Sequence, residues 1–66
     1  MTMLKVIEVL AESDTSWEDA AQQAVANAAK TVRNIKSIYL ENIEATVDSG
    51  KIVKYRINAK ISFVLE

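Results

Sequence analysis

The stretch Val47-Asp48-Ser49-Gly50-Lys51-Ile52-Val53-Lys54-Tyr55-Arg56-Ile57-Asn58-Ala59-Lys60-Ile61-Ser62-Phe63 decides how this chain folds. Beyond Gly50, the residues Val53, Tyr55, Ile57, Ala59, Ile61, Phe63 and Leu65 alternate with Lys54, Arg56, Asn58, Lys60, Ser62 and Val64. That period of two is the signature of a strand whose two faces meet different surroundings. Gly50 is the only glycine of the chain. Ser49-Gly50 between Val47 and Ile52 reads as a tight hairpin turn with Gly50 at a position of positive φ. A partner strand must therefore precede the turn, and the β-branched and aromatic residues from Lys36 to Val47 supply it.

With Ser49 and Gly50 at the centre of the turn, facing residues of the two strands have numbers that sum to 99, unless a bulge intervenes. That register puts Ile38, Leu40, Val53, Ile57, Ala59, Ile61 and Phe63 on one face, the expected core. Ser37, Tyr39, Glu41, Ile43, Ala45 and Val47 fall on the other, with Ile52, Lys54, Arg56, Asn58, Lys60 and Ser62 opposite them. Glu41 then faces Asn58 and lies diagonal to Arg56 and Lys60, either as a solvated ladder of ion pairs or as the lining of a ligand or subunit contact. Ile43, Val47, Ile52 and Tyr39 on that face argue that other copies of the chain cover it.

Upstream of the hairpin, Trp17, Ala20, Ala21, Ala24, Val25, Ala28, Val32 and Ile35 recur at three- and four-residue spacing. The spacing predicts a helix from Trp17 to about Arg33. Its start is marked by two overlapping capping boxes, Thr15 with Glu18 and Ser16 with Asp19. The stripe is mostly alanine, so Trp17 and Val32 are expected to anchor its ends. Before the polar segment 11–16, residues Leu4 to Leu10 form a first strand with Val6, Ile7, Val9 and Leu10. The fold class is α+β: one antiparallel sheet with one helix across it, residues 1–66 forming a single domain.

Sixty-six residues bury only roughly 60% of the surface of the unfolded chain, which leaves a lone domain marginal. Without cysteine or histidine, disulfides and ordinary zinc sites are excluded, so association is the remaining reinforcement. Half the residues are hydrophobic, a large share for so small an interior. Eight basic and nine acidic residues, with no long run of like charge, give no reason to expect a nucleic-acid partner. Apolar runs are far too short to span a bilayer, and the N-terminus lacks a signal-peptide layout, so a cytoplasmic protein without a membrane partner is expected.

Catalysis lacks its usual tools. Histidine and cysteine are absent, a single glycine cannot build a phosphate loop, and the serines have no histidine partner. The chain is not expected to be an enzyme. Glu41, Glu44 and Asp48 offer oxygen ligands to a hard cation near a symmetry axis, but no calcium-loop spacing accompanies them and they read better as surface charge. Trp17, in the first helical turn, reads as a packing anchor.

The order and spacing of Lys5-Val6-Ile7-Glu8-Val9, Ser16-Trp17-Glu18-Asp19-Ala20-Ala21, Ala24-Val25 and Lys30-Thr31-Val32-Arg33-Asn34-Ile35 complete a pattern. With Asp48-Ser49-Gly50-Lys51-Ile52, Tyr55-Arg56-Ile57 and Ile61-Ser62-Phe63, the chain resembles the dodecin family from end to end. The resemblance implies a β-α-β-β subunit, its three-stranded antiparallel sheet wrapped on one helix, assembled as a hollow homododecamer. It also implies a non-enzymatic storage protein for riboflavin or FMN, in which paired flavins stack between tryptophans of neighbouring subunits and a glutamine holds the ring edge. Ser37 aligns with that tryptophan and Arg56 with that glutamine, so both positions are substituted. Ser37 and Arg56, with Tyr39 and Glu41 beside them, are the candidate cofactor-binding residues. Flavin is the inherited cofactor. The alternative is a structural, small-ligand-binding or ion-binding variant that does not bind flavin, since serine offers no ring to stack and Arg56 suits a flat ring or an anion.

Overall fold

A computed structural model describes residues 2–65. The elements are β1 (Leu4–Ser13), α1 (Trp17–Ala28), β2 (Ile35–Asp48) and β3 (Lys51–Val64). They form one antiparallel sheet in the order β1-β3-β2, with α1 lying across one face. No helix among the described residues is long and apolar enough to cross a membrane.

The alternating segment becomes the central strand because its odd-numbered residues are the most apolar in the chain. Ile57, Ala59 and Ile61 are fully buried there. Ala20 of α1 meets Ile57 and Ala59, flanked by Val9, Ala11, Trp17, Ala21 and Ile38. Alanine side chains let the helix lie close to the sheet, and the larger contact falls to Trp17. Its ring meets Tyr55 edge to face, with centroids 4.9 Å apart at 84°. Its indole Nε1 donates to the Glu44 carbonyl at 2.9 Å.

α1 starts at Ser16, whose Oγ accepts from the Asp19 amide at 2.9 Å. The reciprocal half of the capping box is diverted. Asp19 instead accepts from Ser13 Oγ at 2.6 Å and from Gln23, and buried Ser13 also accepts from the Thr15 amide at 2.9 Å. The helix ends at Ala28, one turn short of the expected Arg33. Lys30 and Thr31 donate to the carbonyls three residues back, a tightening that closes a helix without glycine. β-Branched Thr31 and Val32 do not favour another turn, and Asn34 takes positive φ to redirect the chain into β2.

β1 runs three residues beyond the expected Leu10 because Ala11 and Ser13 pair with Ile57 and Tyr55 at the core. The hairpin turn is tighter than Gly50 alone implies. Ser49 and Gly50 both have positive φ, the geometry that matches the twist of the flanking strands.

The register carries the main correction. Pairs summing to 99 hold for Val47 with Ile52 and again from Leu40 with Ala59 to Ser37 with Ser62. Between them the pairing slips by one, with Val53 the extra residue on β3 and Glu41 the extra residue on β2. Ile43 therefore pairs with buried Ile57, and Ala45 with Tyr55, on the helix side of the sheet. Val47 and Ile52 continue that side. All four residues had been expected on the opposite face. Val53 is 42% exposed and belongs to the bulge rather than to the core.

Candidate functional site

The sheet face turned away from α1 is built from the even-numbered residues of β3. Lys54, Arg56, Asn58, Lys60 and Ser62 run along its centre. β1 contributes Leu4, Val6, Glu8, Leu10 and Glu12, while β2 contributes Ser37, Tyr39, Asn42, Glu44 and Thr46. Cations thus occupy the middle strand and acids the two margins.

Each cation is met from a margin. Lys54 Nζ lies 3.0 Å from Asp14, and Lys60 Nζ 3.0 Å from Glu41. Arg56 is held from both sides: Nε and Nη2 donate to Glu12 Oε2 at 2.9 and 2.7 Å, and Nη1 to Glu44 Oε1 at 3.2 Å. Hydrogen bonding to Glu12, and then to Glu44, raises the Arg56 guanidinium above its ordinary value. Lys54 and Lys60 are raised too, chiefly by their hydrogen bonds to Asp14 and Glu41.

The candidate residues separate into two groups. Ser37 pairs with Ser62, and their hydroxyls hydrogen-bond to each other. Tyr39 pairs with Lys60 and is 64% exposed. It is the one aromatic side chain that the pairing places on this face among the described residues. Arg56 sits six positions along β3 from Ser62, about 20 Å away at strand spacing. One subunit therefore does not bring Ser37 and Arg56 together. Glu41 meets Lys60 as the diagonal predicts, but as a bulge residue. The expected proximity of Glu41 to Arg56 is replaced by Glu44 and Glu12.

Two features of this face lay outside the sequence reading. Glu12 was read as part of a polar connection, and only the pairing of β1 with β3 sets it opposite Arg56. Asn58, between Leu10 and Asn42, has a buried side-chain oxygen without a hydrogen-bond partner among the described residues. No signal in a single sequence marks that amide.

Chemically, this face can hold charge and hydrogen-bond small molecules, and among the described residues it carries no histidine or cysteine that could form a nucleophile–base pair. A group of three or more acids spaced for a metal ion does not occur among the described residues. The acids are drawn individually to Arg56, Lys54 and Lys60 instead.

A family model described as Dodecin matches residues 3–66. The chain is 38% identical over 63 residues to the calcium dodecin of Mycobacterium tuberculosis, a match spanning 96% of this chain and 89% of the relative. It is 29% identical over 62 residues to the dodecin of Thermus thermophilus, spanning 94% and 90%. Among solved structures, the tt0972 protein of Thermus thermophilus superposes with a TM-score of 0.93 at 27% identity, covering 100% of this chain and 97% of that one. The calcium-chelating antigen of Mycobacterium tuberculosis, calcium dodecin, superposes with a TM-score of 0.81 at 40% identity, covering 97% and 91%.

Proposed function

Because the chain belongs to the dodecin family, we propose that it works as a non-enzymatic, homo-oligomeric binding protein of cytoplasmic location whose cargo is a small ligand or ion rather than a stacked flavin. The observation that carries this reading is the state of the two flavin-site positions. Ser37 presents a hydroxyl already paired with Ser62, and Arg56 is already held between Glu12 and Glu44. A flavin would find no ring at 37, forgoing about 0.5–1.5 kcal/mol of stacking for each aromatic pair. It would also find no free guanidinium at 56.

The charge of the face favours a cation. Two carboxylates and one guanidinium leave the Glu12–Arg56–Glu44 row with a formal charge of -1. A relative that chelates calcium supports the same direction. Since no acid cluster of one subunit suffices among the described residues, a divalent ion takes ligands from more than one copy, as hard oxygen donors repeated about an axis would supply.

Association is supported by shape. A compact monomer of 7.3 kDa exposes about 4,200 Å², whereas this chain exposes 4942 Å². Its radius of gyration of 13.5 Å exceeds the roughly 11 Å of a compact chain this long. Membership of the family supports a dodecamer as that assembly.

Protein dialysed against chelator is titrated with riboflavin and FMN, followed by fluorescence quenching, and with calcium, followed by calorimetry. The expected result is no flavin quenching at micromolar concentration and a saturable calcium response that Glu44→Gln weakens at least tenfold. Stoichiometric flavin quenching would overturn the reading, and an absent calcium response would remove the cation from it.

A further inference from the structure

The Glu12–Arg56–Glu44 row crosses all three strands, because Arg56 pairs with Glu12 of β1 on one side and with Glu44 of β2 on the other. One guanidinium donates to both carboxylates at once, to Glu12 at 2.9 and 2.7 Å and to Glu44 at 3.2 Å. The two acids therefore already converge on a single cation, and that cation belongs to the chain. Among the described residues no other basic side chain is shared in this way: Lys54 meets Asp14 alone and Lys60 meets Glu41 alone.

The members of the row differ in freedom. Their backbones are clamped from the helix side of the sheet. The Glu44 carbonyl accepts from Trp17 Nε1 at 2.9 Å, and the ring of Tyr55, next to Arg56, meets Trp17 edge to face. Ser13, next to Glu12, is buried with its hydroxyl bonded to Asp19. The side chain of Arg56 is 43% exposed, so its guanidinium can swing into water while the backbone keeps both carboxylates over the same spot. Arginine is not deprotonated in proteins, so it leaves the row by moving and not by losing a proton. Its neighbour on this face, two positions along β3, is Asn58, whose buried side-chain oxygen has no hydrogen-bond partner among the described residues. An oxygen of that kind suits a hard cation.

We propose that Arg56 is a built-in competitor for the cation site: a divalent ion enters the row by displacing the guanidinium from Glu12 and Glu44, so Arg56 sets how tightly the ion is held. The inference rests on the cation reading above and deepens it by naming what regulates the site. A divalent ion attracts each carboxylate with twice the charge of the guanidinium, which offsets the loss of its directed N–H bonds. A monovalent ion has the charge of the guanidinium without those bonds and does not displace it. Two glutamates are fewer than the roughly six to eight oxygens that calcium takes, and water and a second copy supply the rest.

Calcium titrations of chelator-dialysed protein, followed by calorimetry, compare the wild type with three variants. Arg56→Gln removes the competitor and is expected to bind calcium at least about tenfold more tightly, the equivalent of one charged hydrogen bond no longer broken on entry. Arg56→Lys keeps the charge without the planar fork and is expected to fall between the two. Lys54→Gln removes the same charge two positions away on the same face, where the partner is Asp14, and is expected to change the affinity by less than about threefold. Circular dichroism checks that each variant folds, and if Arg56→Gln does not, Arg56→Lys carries the test by the same comparison. Arg56→Gln binding no more tightly than the wild type, or Lys54→Gln matching its gain, would overturn the competition while leaving calcium binding in place. A calcium response absent from both the wild type and Arg56→Gln would overturn the cation reading as well.

Discussion

Truncating Ile57 to alanine tests the core at its centre. Ile57 is fully buried on the middle strand, between Ala11 of β1 and Ile43 of β2, under Ala20 of the helix. The substitution removes three carbon groups, worth about 2.4 kcal/mol of transfer free energy at about 0.8 kcal/mol each. A cavity term adds to this, and measured losses for such truncations span about 2–5 kcal/mol. The neighbours Ala11, Ala20 and Ala59 have no longer side chains to swing into the space, which places the expected loss at about 3–4 kcal/mol. A chain of this length has about 3–10 kcal/mol of stability in all, so Ile57→Ala removes a third of it or more. Urea unfolding followed by Trp17 fluorescence reads the loss, with Ile57→Val as a graded control at about 0.5–1.5 kcal/mol. The loss is expected to be the same at two protein concentrations, because the cavity lies inside one subunit. A loss below about 1 kcal/mol for the alanine variant would refute the placement of Ile57 at the core.

Other perturbations read other parts of the fold. Trp17→Phe keeps an edge against Tyr55 but withdraws the indole N–H from the Glu44 carbonyl, and urea unfolding should show a loss of about 0.5–1.5 kcal/mol from that bond. Ser49 holds positive φ at a turn position that asparagine favours, so Ser49→Asn is expected to raise the unfolding midpoint, with a gain of about 0.5–1 kcal/mol. The lysines have a pH signature. Lys54 and Lys60 are raised above 10.5 by their carboxylate partners. Their contribution is therefore complete at neutral pH and fades as pH rises through the raised values. Lys60→Met should flatten the alkaline fall in stability, and an unchanged profile would count against the pairing with Glu41.

Strand and helix identities were legible because periodicity reports burial directly. The alternation in β3 from Tyr55 onward and the alanine stripe of α1 both emerged as read, and Ser16 capped where its spacing with Asp19 placed it. Bulges were not legible. Val53, Glu41 and Lys36 are the extra residues, yet nothing in their identity distinguishes them from their neighbours, and the slip between the first two re-sorts Ile43, Ala45, Val47 and Ile52 between faces. The helix end was hidden because no glycine or proline marks it, and unwinding into tighter turns depends on how the chain must reach β2. At the candidate site, Ser37, Tyr39 and Arg56 fell on the face expected of them. The partner of Arg56 did not, because Glu12 comes from a strand whose register no turn specifies.

Native mass spectrometry of the purified protein addresses assembly and cargo at once. The account predicts a homo-oligomer of 7.3 kDa subunits without flavin adducts. A 7.3 kDa monomer at micromolar concentration, or an oligomer carrying flavin, would contradict it.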